Sequence, residues 1–205
     1  MDENIEGLIS RIKKLEQELR DKLADRQEAF LYRLDRGKVR FEEEVRQRHQ
    51  KLIKRLHSYL AEASLLNILT IPLIWGCLPP ALLMDFSVTL YQFICFPVYG
   101  IPRVRRRRYI VIDRQALGYL NVIEKINCLY CGYFNGLISY IGEITARTEQ
   151  YWCPIKHARR LSSIHSRYKY FFDYGDGEEY RRKLEEVRRA FDDLAAEQNQ
   201  REEGR

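Results

Sequence analysis

Apolar residues recur at Ile5, Leu8, Ile12, Leu15 and Leu19, the alternating three-and-four spacing of a coiled-coil seam. The stripe continues less strictly through Leu23, Phe30, Leu34, Phe41, Val45, Leu52 and Leu56. Charges of both signs fill the remaining positions, with i,i+4 pairs such as Glu18–Lys22. No proline interrupts the pattern, since the first in the chain is Pro72. The pattern predicts one long amphipathic helix over residues 1–59, roughly 85 Å at about 1.5 Å per residue. A narrow seam on so long a helix needs a partner, either a second copy or another protein. The alternative is two shorter helices folded back on each other at Asp35-Arg36-Gly37.

From residue 60 the pattern changes character. Residues 63–102 hold one charge in forty positions, Asp85. The apolar stretch divides at Pro79-Pro80 into Leu60–Leu78 and Ala81–Ile101, of 19 and 21 residues, each close to the length that spans a bilayer. Lys51, Lys54 and Arg55 precede the first piece; Arg103, Arg105, Arg106, Arg107 and Arg108 follow the second. The positive-inside rule then places both flanks in the cytoplasm. A membrane hairpin over 60–102 satisfies this, whether it crosses or is monotopic, and leaves the bulk of the chain cytoplasmic. Asp85 is expected near the far headgroups, or else as a functional buried acid. No cleavable signal peptide is expected, because the acidic Met1-Asp2-Glu3 is not followed by an early apolar run.

Charge is sorted along the chain. Residues 103–170 carry 13 Lys/Arg against 4 Asp/Glu, whereas 171–205 carry 7 against 11. Five arginines within 103–108 would suit nucleic acid, but no RRM, zinc-finger or helix-turn-helix spacing accompanies them. Directly after an apolar segment they are expected at anionic lipid headgroups. Residues 103–175 read as a basic, Tyr-rich helical module, with Leu117, Leu120, Ile123, Ile126 and Tyr130 on one face. Within it, 126–142 is a charge-free run of 17 residues, at the lower limit for a third membrane segment. Its asparagines and tyrosines favour a helix buried in protein or lying against the membrane interface, and Gly132 and Gly136 suit close contact with another helix. Residues 176–205 predict a short amphipathic helix on Tyr180, Leu184, Val187, Phe191 and Leu194, then a polar tail. The fold class is therefore all-α.

The candidate chemistry lies in Cys128, Cys131, Cys153 and His157, spaced C-x2-C-x21-C-x3-H. Thiolate and imidazole are the ligands zinc prefers, and four complete its tetrahedron. An iron–sulfur cluster is the alternative cofactor. The site requires the chain to reverse between Cys131 and Cys153, because one straight helix would hold them roughly 33 Å apart. Cys153-Pro154 reads as a helix start, with His157 one turn in. The same thiols also fit buried packing residues, a reactive dithiol at Cys128/Cys131, or a nucleophile at Cys153 served by His157 or His165. Lys156, Arg159 and Arg160 would favour the thiolate, and equally an anionic partner. Cys77 and Cys95 are expected to pack, and His49 and His57 to be solvated. The common nucleotide-binding and hydrolase motifs are missing.

The run Arg147-Thr148-Glu149-Gln150-Tyr151-Trp152-Cys153-Pro154-Ile155-Lys156-His157-Ala158 resembles a segment of an uncharacterised bacterial family of small membrane-linked proteins. Asp85, Tyr91-Gln92, Tyr99-Gly100-Ile101-Pro102, Asp113-Arg114 and Asn127-Cys128 extend the likeness over about residues 70–180. The resemblance implies a bacterial, membrane-linked protein and carries no activity and no active site. The expected function is a membrane-anchored scaffold or interaction module clamped by zinc. Its rivals are a membrane-linked thiol oxidoreductase or iron–sulfur electron carrier, and a structural adaptor whose thiols merely pack.

Overall fold

The computed structural model describes residues 64–194 without interruption, together with 43–55, 58–59, 32–35, 38–41 and separate positions between 7 and 22. Ile5, Leu8, Leu23, Phe30, Leu56, His57 and the polar tail lie outside the described residues. Among the described residues the regular elements are helical apart from one small hairpin, with irregular segments between them. They fall into two compact units: Met1–Glu62 with Asp113–Leu129, and Ala63–Ile112 with Tyr130–Arg205.

In the first unit, the described positions between 7 and 22 are helical, and Ile12, Leu15 and Leu19 of the seam are exposed. The helix does not continue unbroken to residue 59. Strand β1 (Tyr32–Asp35) pairs antiparallel with β2 (Lys38–Phe41), Tyr32 opposite Phe41 and Asp35 opposite Lys38. The reason is legible in Tyr32-Arg33-Leu34-Asp35 and Lys38-Val39-Arg40-Phe41, which alternate apolar and charged residues with the period of a strand. This register leaves Arg36-Gly37 between the strands, and glycine is what a two-residue hairpin connection calls for. Leu34 and Phe41 stand seven residues apart, so they also fit a heptad, and that coincidence made the seam look continuous.

Helix α1 (Glu43–Lys51) follows, with Glu43 and Glu44 in its first turn and Arg48 and Lys51 in its last, as the helix dipole favours. His49 is not solvated as expected. Its ring lies 4.9 Å from that of Phe41 and 5.0 Å from that of Tyr119.

The second unit is built on a long apolar rod. Helix α2 (Leu65–Gly76) passes into α3 (Leu78–Tyr99) through Cys77, whose φ of −75° and ψ of −17° are right-handed helical. The Ala81 amide donates to the Cys77 carbonyl at 3.2 Å. The chain therefore does not reverse at Pro79-Pro80, and the expected hairpin is not formed. Both prolines sit in the first turn of α3, where a missing N–H leaves no bond unmade. Helix α3 ends at Gly100, whose φ of +69° supplies the left-handed cap, and Ile101 N–H returns to the Phe96 carbonyl at 2.9 Å.

Residues 101–112 then run back alongside α3 as an irregular segment. Val104 N–H donates to Gln92 Oε1 at 2.9 Å, and Arg106 reaches Asp85 two turns earlier. Helix α4 (Val122–Trp152) starts with a reciprocal cap in the first unit. The Asn121 side chain accepts from Glu124 N–H at 3.0 Å, and the Glu124 carboxylate accepts from Asn121 N–H at 2.8 Å. From Tyr130 onward α4 lies parallel to α3. Tyr130 donates to the Ile74 carbonyl at 2.6 Å, Tyr133 meets Asp85, Tyr140 meets Gln92, and Tyr151 stacks on Tyr99.

Gly132 and Gly136 admit this return segment and not a second helix. A Cβ on Gly136 would lie 2.6 Å from the Tyr109 carbonyl oxygen and 2.8 Å from Ile110 Cα. The run 126–142 is thus part of α4, and Gly136, Leu137 and Tyr140 are buried in protein. Phe96, Ile101, Val104, Ile110, Leu137 and Ile144 form the core, closed by Phe191 and Leu194. Helix α5 (Gly177–Arg189) is capped by Asp176, which accepts from Glu179 N–H at 2.9 Å.

Candidate functional site

The feature most open to a functional reading is the outer side of the α2–α3 rod. Leu65–Tyr99 is 35 residues long; its most apolar 18-residue window has mean hydropathy 1.7, and none of that window is buried. Among the described residues it is the one helical stretch long and apolar enough to cross a membrane. Every residue of α2 is exposed. Helix α3 is one-sided: Leu82, Phe86, Leu90, Phe93 and Val98 face outward, while Asp85, Gln92 and Phe96 are buried. Burying such an outer face would be favourable by roughly 25 cal/mol per Å² of apolar surface removed from water. Soluble proteins rarely leave so long an apolar stripe uncovered.

The inner side of α3 sets polar groups beside the core residue Phe96. Asp85, 8% exposed, receives Arg106 Nη2 at 2.6 Å and Nε at 3.1 Å, and Tyr133 Oη at 3.0 Å. This forked geometry matches guanidinium to carboxylate. Gln92 and Thr89 both bond the Tyr140 hydroxyl, which ties the same face to α4. Asp85 is therefore not solvated: its carboxylate is taken up by Arg106 and Tyr133. The hydrogen bond to Asp85 raises the Arg106 pKa above its ordinary value, so the pair stays charged.

The five arginines expected at headgroups are thus not equivalent. Arg106 is committed to Asp85. Arg103 lies over the Phe93 ring, 4.5 Å from its centroid, and donates to the Phe93 carbonyl at 3.2 Å. Arg107 and Arg108 are exposed, and Arg105 is half-exposed.

The predicted Cys/His site is not assembled. Cys128 and Cys131 lie early in α4, and Cys153 follows its last residue, Trp152. The 21 residues between Cys131 and Cys153 all lie in α4, which holds the two thiols roughly 33 Å apart. The necessary reversal does not occur, because no glycine or asparagine between them breaks the helix. Cys153-Pro154 is a helix end and not a start: proline disfavours helical backbone at the residue before it. His157 lies in the following loop, its N–H bonded to the Tyr168 hydroxyl at 2.9 Å. Among the described residues no three His, Cys, Asp or Glu side chains are grouped to hold a metal ion. All five cysteines are free thiols.

The segment Arg147–Ala158 has another use. Arg147 bonds Glu143 at 2.8 Å and the Pro102 carbonyl at 2.6 Å. Glu149 meets His165 at 3.1 Å, and Lys156 meets Asp173 at 2.6 Å. Ile155 forms a parallel bridge with Phe172. Gln150 Nε2 donates to the Val187 and Ala190 carbonyls at 2.8 and 2.9 Å, and its oxygen accepts from Arg167.

Arg167 is 1% exposed, pairs with Asp193 at 2.6 Å and donates to the Ala190 carbonyl at 2.6 Å. Burial acts to raise the Asp193 pKa, but the Arg167 hydrogen bond and charge prevail and hold it below the ordinary carboxylate value. The Arg167 hub escaped sequence reasoning, since nothing in the run Ser166-Arg167-Tyr168 marks a buried arginine. Beyond Pro154, the loop from His157 to Ile164 lines an open depression of about 490 Å³ that carries Arg159 and Arg160.

No family model, curated protein or solved structure matches the chain.

Proposed function

We propose that the chain is a membrane-attached interaction module. The carrying observation is the uncovered apolar stretch Leu65–Tyr99, of which the most hydrophobic window has no buried residue. Lipid is the environment in which such a surface costs nothing. Arg103, Arg107 and Arg108 beside it favour an anionic leaflet, each cation contributing about 1 kcal/mol near the surface. The N-terminal seam, with Ile12, Leu15 and Leu19 exposed, supports recruitment of a second copy or of a partner helix. The scaffold role is carried without zinc, because the four candidate ligands are spread along α4 and the loop after it.

Flotation of the purified chain with vesicles tests this. The chain should rise with phosphatidylcholine vesicles containing a quarter phosphatidylglycerol, and less with phosphatidylcholine alone. In cells it should stay in the membrane pellet after a high-salt wash. A chain that is monodisperse in buffer without detergent and ignores both vesicle types would refute the proposal.

A further inference from the structure

We propose that α2 and the outer face of α3 sit in a single leaflet of an anionic bilayer, entering and leaving on the same side, with residues 103–108 at the headgroups. This rests on the membrane attachment proposed above and adds its geometry.

The rod has no reversal, since Cys77 is itself helical. A 35-residue rod of about 52 Å is long enough to cross a core of about 30 Å. Two observations forbid the crossing. First, Asp85 stands near the middle of the rod, and Arg106 is bound to it at 2.6 Å. The adjoining Arg107 and Arg108 are exposed. A rod set across the bilayer would therefore carry exposed guanidinium groups to its mid-depth, together with the irregular backbone of 101–112 that accompanies them. Charges at that depth are strongly disfavoured, and non-helical backbone is tolerated there only when enclosed. Second, a single crossing would put Lys51, Lys54 and Arg55 on the opposite side from Arg103–Arg108, against the bias of basic flanks toward one face.

Lying along one leaflet resolves both. Helix α2 carries no charged residue, is exposed along its whole length and is about 18 Å long, a length that one leaflet accommodates. Helix α3 leaves apolar residues exposed on its outer side, and its inner side is already covered by 101–112 and α4. Arg103, stacked on the outward Phe93, stands where the apolar face meets the charged surface.

The test is topological and uses the full chain in bacterial membranes, with an epitope tag at each end. Cys95, Cys128, Cys131 and Cys153 are changed to serine; Cys77 is retained in one version and replaced by R108C in a C77S version. A membrane-impermeant maleimide and a protease are applied to spheroplasts and to inverted vesicles. The expected result is that both tags and the R108C thiol react only in inverted vesicles, and that Cys77 is never reached from the periplasmic face. Tags on opposite faces, or Cys77 labelled in spheroplasts, would overturn the one-leaflet arrangement while leaving membrane attachment standing. Recovery of the chain in the soluble fraction would overturn attachment itself, and this inference with it.

Discussion

Gly136 shows how much one missing carbon can decide. Its Cα faces the backbone of Tyr109 and Ile110 so closely that any side chain must push the return segment away. Gly136→Ala should destabilise the second unit by about 1–3 kcal/mol, the cost of overpacking. Gly142 lies on the same helix with nothing within 4 Å of a Cβ. Gly142→Ala should stabilise by about 0.5–1 kcal/mol, because alanine loses less freedom in a helix. Urea melts of the two variants, moving in opposite directions, check the packing. The sequence marked Gly132 and Gly136 as sites of close approach, but not what approaches. That neighbour is an irregular segment some twenty-six residues earlier in the chain, and no periodicity announces such a contact. Asp85 was likewise visible as the lone acid of an apolar run, while its partner Arg106 was hidden among four other arginines.

Elements differ in how openly the sequence declares them. Helix α5 is spelled out by its cap and its apolar stripe. The β1–β2 hairpin hid because Leu34 and Phe41, seven residues apart, fit a heptad as well as diagonal positions of the two paired strands. The C-terminus of α5 is held from outside, by Gln150 and Arg167 on its last carbonyls and by Arg167 on Asp193. The Asp193 pKa is lower in the folded chain than its ordinary 3.8. Its contribution is therefore complete above that pH and is lost as pH falls through the folded value. Limited proteolysis should show the segment after residue 170 becoming labile below about pH 3.8. D193N should make it labile at neutral pH as well and flatten the acid dependence. An unchanged cleavage rate in D193N would show that Arg167 needs no carboxylate partner.

The whole molecule joins an unburied oily rod to a body in which Asp85, Gln92, Gln150 and Arg167 are buried and hydrogen-bonded. Charge sorting along the chain marked out the apolar rod early, because forty residues with one charge are rarely an ordinary soluble surface. The Cys/His spacing misled, since ligand spacing has meaning only if the chain turns between the pairs, and α4 runs straight through. Elemental analysis of the purified chain should find no stoichiometric zinc. C128S and C153S should each melt at the temperature of the parent chain, with or without a chelator. One zinc per chain, lost in both variants, would show that α4 breaks in solution.

The ion pair at the middle of the rod also has a consequence for how the protein is made. Synthesis proceeds from the N-terminus, so Leu65–Tyr99 leaves the ribosome before Arg106, before the rest of the return segment and before α4. Until those residues follow, Asp85 has no counter-charge and both sides of the rod lie bare. The nascent chain is at its greasiest in that interval, and an insertion machinery that met it then would treat it as a span. For the one-leaflet arrangement proposed above, the arrival of one guanidinium is then what separates the finished rod from a span.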